Sequence, residues 1–547
     1  LSSSSAASDV YKRQIYNWFG YGGTTAGLMF GESSYYFPIF LGLLSIVVFV
    51  WGASSLASYF YRRAEKAAPQ ISLLSRVAVL VAGAICIGLC LFGIRGRMGY
   101  NPIKVSQAYY CEDPFLNQLG VNPVFNLLTS TLDDNRKENR TLHLMSEEDA
   151  LSKVQKYLHR QGIDWLSPIA RKVEREGTPN RRNVVLVFME SMSANLMGTF
   201  GSDKKLTPYL DSLYQQSLSF SHFYSSGIHT NHGIYSTLYS FPAIMKRNAM
   251  KGSVIPVYSG LPTVLQENGY CNLFFMTHES QYDNMNAFLR TNGFDEIYAQ
   301  ENYPSEKVVN SFGVQDDFMY QYALPILNER AGTGNPFFSV LLSISNHPPY
   351  VIPPYFHPHS DVLEEQIVEY ADWSIRQFMQ AAEKQPWFDN TIFVFLGDHG
   401  KMVGTPECEM PQSYNHIPLM IYGKDIKPGV YDGFGGQVDV SPTLLGLLNI
   451  SYLQNNFGVN LLEEERPCMF FTADNLIGAR DSVNMFIYSP DSQQEFKYKL
   501  EEGKLHAATG TDEEAFRNLK DYCFSMLQST ESLVKEHKTL DKVSVKK

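Results

Sequence analysis

The sequence has no surplus of positive charge. Lysine and arginine number 45 against 56 aspartates and glutamates, a formal net charge of -11. A nucleic-acid binder needs a basic face, so that class is excluded as a general role. Cysteine is sparse and unpatterned. Cys86 and Cys90 sit in an apolar run, while Cys111, Cys271, Cys408, Cys468 and Cys523 are scattered and odd in number. They give no disulfide framework and no zinc-finger spacing. Sustained heptads and internal repeats are also lacking, which excludes a coiled coil or a solenoid as the main architecture. Residues 1–14 do not have the order of a secretory leader: serines come first, basic residues follow, and no cleavage site appears. They read as a non-native or disordered segment.

Long hydrophobic runs are present, and there are two. Residues 37–61 and 77–94 carry no charged side chain. A helix needs about 20 apolar residues to cross the hydrocarbon core, and both runs meet that within tolerance. The alternative is a pair of buried helices in a soluble core. Between the runs lie Arg62, Arg63, Lys66 and Arg76 against Glu65 alone. The positive-inside rule makes this loop cytoplasmic and everything after Ile94 extracytoplasmic. The expected plan is a membrane domain over 15–98 and a helical membrane-proximal linker over 99–180. A catalytic domain over 181–490 and a C-terminal helical extension over 491–547 follow.

From Asn183 short apolar runs alternate with helical stretches, the pattern of an α/β domain. Five runs read as buried strands: 184–188, 272–276, 337–344, 392–396 and 469–472. They are rich in Val, Ile, Leu and Phe without alternation, which suits a mostly parallel central sheet flanked by helices. A polar residue closely follows each: Glu190, His278, His347, Asp398 with His399, and Asp474. In open parallel sheets the site lies outside the carboxyl ends of the strands, so these positions are expected on one edge.

Three segments carry chemistry. In TIFVFLGDHG, residues 391–400, a strand runs through Gly397 into adjacent carboxylate and imidazole groups. Asp398 and His399 are a start for a divalent metal site; the alternative is a capping Asp beside a surface His. In NVVLVFMES, residues 183–191, a strand runs into Glu190 in the same way, with a capping or surface acid as the alternative. In SSGIHTNHGIYSTLYSFP, residues 225–242, Thr230 precedes a helix expected over 233–239. A hydroxyl at a helix N-terminus sits where an anion such as phosphate is favoured, and metal coordination would make it a nucleophile. A plain N-cap is the alternative.

Glu190, Thr230 and the Asp398–His399 pair resemble the metal-and-nucleophile set of the lipoteichoic acid synthases and related phosphoglycerol transferases. That family has a sulfatase-type domain of the alkaline phosphatase superfamily. Further segments fall in the family's order: RGR at 95–97, NPVF at 122–125, TPYLDSL at 207–213, SNHPPY at 345–350, HIPLMIYG at 416–423 and QVDVSPTLLGLL at 437–448. The resemblance implies an α/β fold of the alkaline phosphatase type, preceded by transmembrane helices. It implies one divalent metal, commonly manganese with zinc or magnesium as alternatives, held by Glu190, Thr230, Asp398 and His399. Thr230 would attack the phosphorus of a phosphatidylglycerol-like donor, release diacylglycerol and pass the group to a polymer, glycan or glycolipid acceptor. His347 matches a histidine that binds the phosphoglycerol headgroup. Residues 282–285 read YDNM where the family has a Trp and an Arg, so the arginine that would clamp a phosphate is missing. Asp283 and Asn284 are assigned to a glycerol or an amine instead. His416 is a candidate substrate contact, with a structural role as the alternative. His232 reads as a mere neighbour of Thr230, and His278 equally as a surface residue. The resemblance implies more membrane spans than the two counted, so the chain is expected to begin inside the membrane domain of a bacterial cytoplasmic-membrane protein.

Three rivals share parts of this pattern. A phosphoethanolamine transferase would use the same four residues. A sulfatase needs a Cys/Ser-x-Pro-x-Arg segment, and Cys408 is followed by Glu-Met-Pro-Gln. A catalytically silent, metal-binding membrane scaffold is the non-enzyme rival.

Overall fold

The computed structural model describes residues 36–67, 72–98, 102–111, 114–122, 142–252, 255–501, 503–508 and 513–541. Residues 1–35 and most of the NPVF segment lie outside them. The chain divides into two compact units, Leu1–Lys104 and Val105–Lys547.

In the first unit α1 (Tyr36–Ala67) and α2 (Leu73–Arg95) are helices long and apolar enough to cross a membrane, with candidate spans Leu44–Arg63 and Leu73–Arg95. Ser72 caps α2 by accepting from the Ser75 N–H, and Gly96 closes it in the left-handed conformation, its N–H donating to the Phe92 carbonyl. Large apolar side chains such as Phe49, Trp51, Leu74 and Leu80 are exposed along both helices. A contiguous apolar surface of this extent suits lipid rather than water.

The second unit is built on an eight-stranded sheet. In chain order its strands are β1 (Asn183–Met189), β2 (Leu218–Tyr224), β3 (Cys271–Met276), β4 (Glu296–Tyr298), β5 (Phe337–Leu342), β6 (Thr391–Gly397), β7 (Leu419–Tyr422) and β8 (Gly429–Gly436). Their spatial order is β8-β2-β7-β6-β1-β5-β3-β4. Only β7 runs against the rest, pairing antiparallel with β2 and β6. The expectation of a mostly parallel sheet with helices on its faces is met. Both faces of β1 are buried, which is why it reads as an unbroken apolar run. Val184, Leu186 and Phe188 enter one core, and Val185, Val187 and Met189 the other.

A second, antiparallel sheet departs from the sequence reading. It comprises β9 (Met469–Thr472), β10 (Ile477–Arg480), β11 (Asn484–Ser489), β12 (Gln494–Glu501) and β13 (Lys504–Ala507). Met469–Thr472 therefore belongs to this sheet and not to the central one. The expected helical extension over 491–547 instead holds strands at Gln494–Glu501 and Lys504–Ala507, with the helix α8 over Glu513–Lys535. Pairing of β11 with β12 completes the sheet across residue 490. The expected linker is likewise partly integrated: α3 (Glu147–Tyr157) packs on α8, and Arg171–Val173 pairs with Tyr452–Gln454.

Candidate active site

The parallel pairing of β1 with β6 runs in register to Met189 opposite Gly397. The next residue on each strand is Glu190 and Asp398, so two acids leave neighbouring strand ends side by side. Oxygens of both, with a ring nitrogen of His399, lie within 4.8 Å of one another. Glu190 and Asp398 are buried, and His399 is nearly so.

Each group is oriented by its surroundings. The Glu190 N–H donates to Ser343 Oγ at 3.0 Å, and Glu190 Oε1 accepts from Ser191 Oγ at 2.7 Å. Ser191 holds a positive φ of 51°, a costly backbone conformation of the kind that collects at functional sites. Asp398 Oδ1 accepts from the backbone N–H groups of Ser191 and His399, both at 2.8 Å. Asp398 Oδ2 is buried and has no hydrogen-bond partner among the described residues. His399 Nδ1 is 2.7 Å from the Gly400 carbonyl, so it carries the proton and donates. That leaves Nε2 with a free lone pair, 3.6 Å from Asp398 Oδ2 and 3.8 Å from Glu190 Oε1. Burial, and then the Asp398 charge, push the Glu190 carboxyl well above the usual range. Two buried acids, an orphaned carboxylate oxygen and a correctly tautomerised imidazole fit a divalent cation.

Helix α5 (Thr230–Tyr239) brings the hydroxyl. Thr230 is its first residue, one turn longer at the N-terminus than the sequence suggests, with His229 as N-cap. Thr230 Oγ1 donates to Glu190 Oε2 at 3.4 Å. The helix reaches this position because Gly233 has no side chain: a Cβ there would lie 2.2 Å from the Asp398 carbonyl oxygen. Glu190, Thr230, Asp398 and His399 are thus brought together from three distant stretches of chain.

The remaining expected residues fall differently. Asp283 Oδ2 accepts from Asn231 Nδ2 at 3.2 Å and Oδ1 pairs with Lys251 at 2.9 Å, beside the start of α5. Asn284 turns instead to the Met250 carbonyl at 2.9 Å. Both have positive φ, 49° and 68°. His347 is half-buried, with Nδ1 2.6 Å from the Pro348 carbonyl and its ring 4.2 Å from that of Phe312. His278 is buried, not at the surface; its ring lies 4.8 Å from Tyr282, and burial pulls it down to about 4. His416 is engaged by its protein neighbours. Its Nε2 is held 2.9 Å from the Ser221 carbonyl, and its ring packs between Tyr224 at 5.3 Å and Phe200 at 5.1 Å. The ring is stacked on Tyr224 and edge-on to Phe200, which favours the structural alternative over a substrate contact. His232, in the first turn of α5, is fully buried and pulled down to about 3 by burial and the neighbouring histidines.

Sequence reasoning passed over His229, whose Nε2 is 2.6 Å from Asp474 Oδ1, with Lys246 3.8 Å from the same carboxylate. It also passed over Asn346 and Lys401, joined by a 2.5 Å bond. Burial lowers Lys401 to about 8. The one available signal was its place two residues after Asp398–His399.

Residues 182–450 match the sulfatase family. A structure from Vibrio parahaemolyticus described as a protein in the alkaline phosphatase superfamily is 25% identical. It covers 72% of this chain and 97% of its own, with a TM-score of 0.65. The chain therefore carries a sulfatase-like domain with the fold of an alkaline phosphatase superfamily protein, a superfamily whose members use a divalent metal. Within that class the similarity is to lipoteichoic acid synthases. A lipoteichoic acid synthase-like protein of Bacillus subtilis, YvgJ, is 25% identical over 362 residues, 60% of this chain and 56% of that one. The lipoteichoic acid synthase of Staphylococcus aureus is 23% identical over 400 residues, 64% and 58%. The chain thus matches a little over half the length of these relatives. The lipoteichoic acid synthase LtaP of Listeria monocytogenes shares the fold, at 22% identity and a TM-score of 0.58 over 70% of this chain and 98% of its own.

Proposed function

We propose that this protein is a membrane-anchored phosphotransferase that moves a phosphoglycerol-type group from a phospholipid to a cell-envelope polymer, glycan or glycolipid through a phospho-threonine intermediate. The observation that carries the reading is the Thr230 hydroxyl, set at a helix N-terminus 3.4 Å from the carboxylate of a buried two-acid, one-imidazole cluster. The similarity to lipoteichoic acid synthases supports the choice of group. Glu190, Asp398, His399 and Thr230 would hold the cation, which supplies charge neutralisation and a lowered hydroxyl pKa.

The chain's own residues do the rest by positioning, which is most of what phosphoryl transfer requires. In the first displacement Thr230 Oγ bonds to phosphorus as the bond to the diacylglycerol oxygen breaks, and that oxygen takes up the threonine proton. In the second, an acceptor hydroxyl bonds to phosphorus, the Thr230 ester breaks, and Thr230 regains a proton. The N-terminal amides of α5 face the phosphoryl oxygens. Asp283, beside Asn231, faces a hydroxyl or amine of the headgroup. That acid, in the turn without an arginine, is what favours a phosphoethanolamine donor as the second reading. Membrane attachment, with the catalytic unit outside, brings the site to a lipid donor.

Mass spectrometry of the full-length protein incubated with manganese and phosphatidylglycerol tests this. A glycerophosphate adduct on Thr230 is expected. A phosphoethanolamine adduct, formed only with phosphatidylethanolamine, selects the second reading. Unmodified Thr230 under steady turnover removes the mechanism.

A further inference from the structure

Lys401 has no role in the mechanism above, yet its setting is unusual. The side chain is largely enclosed, and Nζ donates to Asn346 Oδ1 at 2.5 Å while lying 5.7 Å from the centroid of the Tyr350 ring. Asn346 is itself buried, and its Nδ2 donates to the Ser191 carbonyl at 3.1 Å. Ser191 is the residue whose hydroxyl holds Glu190. Lys401 therefore stands two hydrogen-bonded residues from the acid cluster. Glu190 and Glu364 reach it only as more distant charges. Among the described residues no carboxylate makes an ion pair with it, although most of the other buried or half-buried cations of the second unit have such a partner, as Arg466 has Asp439.

A lysine enclosed without a counter-ion is costly. An arriving anion offsets that cost. A phosphodiester brings one negative charge spread over two nonbridging oxygens. The acid cluster is suited to a cation that neutralises one of them, and the other needs a donor. The turn at Tyr282–Met285 has no arginine to offer. Lys251, the cation nearest that turn, is committed to Asp283.

We propose that Lys401 is the phosphate clamp of this site: its ammonium donates to a nonbridging oxygen of the transferring phosphoryl group, with Asn346 and Tyr350 holding the side chain in place. This rests on the transferase reading for the identity of the phosphoryl group but not for the presence of an anion site. Lys401 acts as a cation throughout, so no proton changes hands. Asn346 is a positioning residue, because it touches the lysine and not the substrate.

The test uses full-length protein in detergent, loaded with manganese, with inorganic phosphate as the calorimetric probe and fluorescent phosphatidylglycerol as substrate. Lys401→Met keeps the length and removes the charge. It is expected to bind manganese at wild-type stoichiometry, to weaken phosphate binding at least tenfold, and to lower kcat/KM about 100-fold, the usual scale for losing one oxyanion donor. Lys401→Arg should restore most of the phosphate affinity, which a purely structural role would not require. Asn346→Ala should weaken phosphate binding less than Lys401→Met, since the ammonium remains. Should Lys401→Met misfold, the Arg and Asn346 variants carry the same comparison: phosphate binding unchanged in Asn346→Ala and lost in Lys401→Arg would overturn the clamp. Wild-type phosphate affinity in folded Lys401→Met overturns it too, while adduct formation on Thr230 would leave the transferase reading standing. If no phospholipid is turned over but phosphate binding still depends on Lys401, the transferase reading falls and the clamp stands.

Discussion

At the residue scale the site is an arrangement of hydrogen bonds that leaves one oxygen and one nitrogen unspent. Among the described residues Asp398 Oδ1 takes two backbone donors while Oδ2 takes none, and His399 commits Nδ1 to a carbonyl and frees Nε2. Replacing Thr230 with Ala should lower phospholipid turnover by at least about 1,000-fold, the scale of losing a nucleophile rather than a contact. Manganese affinity, read by calorimetry, should fall far less than in Asp398→Asn. Metal affinity should rise with pH. Burial and Asp398 raise the Glu190 carboxyl, so the apo site holds a proton that the cation must displace. A titration flat with pH would argue against Glu190 as a ligand. Glu190 and Asp398 were readable in the sequence because each ends a buried run, and parallel pairing aligns strand ends. Lys401 was not, because a lone lysine after a turn looks the same whether its stem is enclosed or solvated. His416 was open between two roles in the sequence because nearness to the 398–399 pair does not say what its ring packs against.

At the scale of elements four adjacent strands of the central sheet, β6, β1, β5 and β3, were legible and the second sheet was not. The strand β12, QEFKYKLE, places Phe496, Tyr498 and Leu500 on alternate positions, but its charges resemble those of a solvated helix. Only the pairing partners on either side decide between the two. Helix α8 joins distant pieces. Its Glu531 accepts from the Leu142 N–H at 3.2 Å, and Gln528 accepts from Leu144 at 3.0 Å. Burial pushes Glu531 up from 4.5 to about 7, against the weaker pull of the Leu142 bond, Arg247 and Lys535. The folded state therefore holds a proton there that the unfolded chain releases. Stability from this group is complete below about pH 4.5 and is lost as pH rises through 7. Glu531→Gln keeps the acceptor and removes the titration. Thermal unfolding should show the wild type losing a few degrees relative to the variant between pH 5 and pH 8. Parallel curves would mean that the carboxyl is hydrated in solution.

At the scale of the molecule the chain combines two apolar helices with a catalytic-type unit of different surface character. The loop charges predict that the second unit faces out of the cell. Protease added to intact spheroplasts should digest that unit and spare α1 and α2. Protection of the whole chain until lysis would reverse the orientation. The two long apolar helices were legible from composition alone. The integration of residues 142–173 with the second unit was not, since it depends on backbone donors meeting Glu531, Gln528 and the strand at Tyr452–Gln454. The absent side chain of Gly233 has a larger consequence than its size suggests. The gap between alcohol and acids is set by main chain resting on main chain, so repacking the interior cannot tune it. A single added methyl, Gly233→Ala, should act as a spacer that leaves the fold intact by circular dichroism while prising the nucleophile off its cluster.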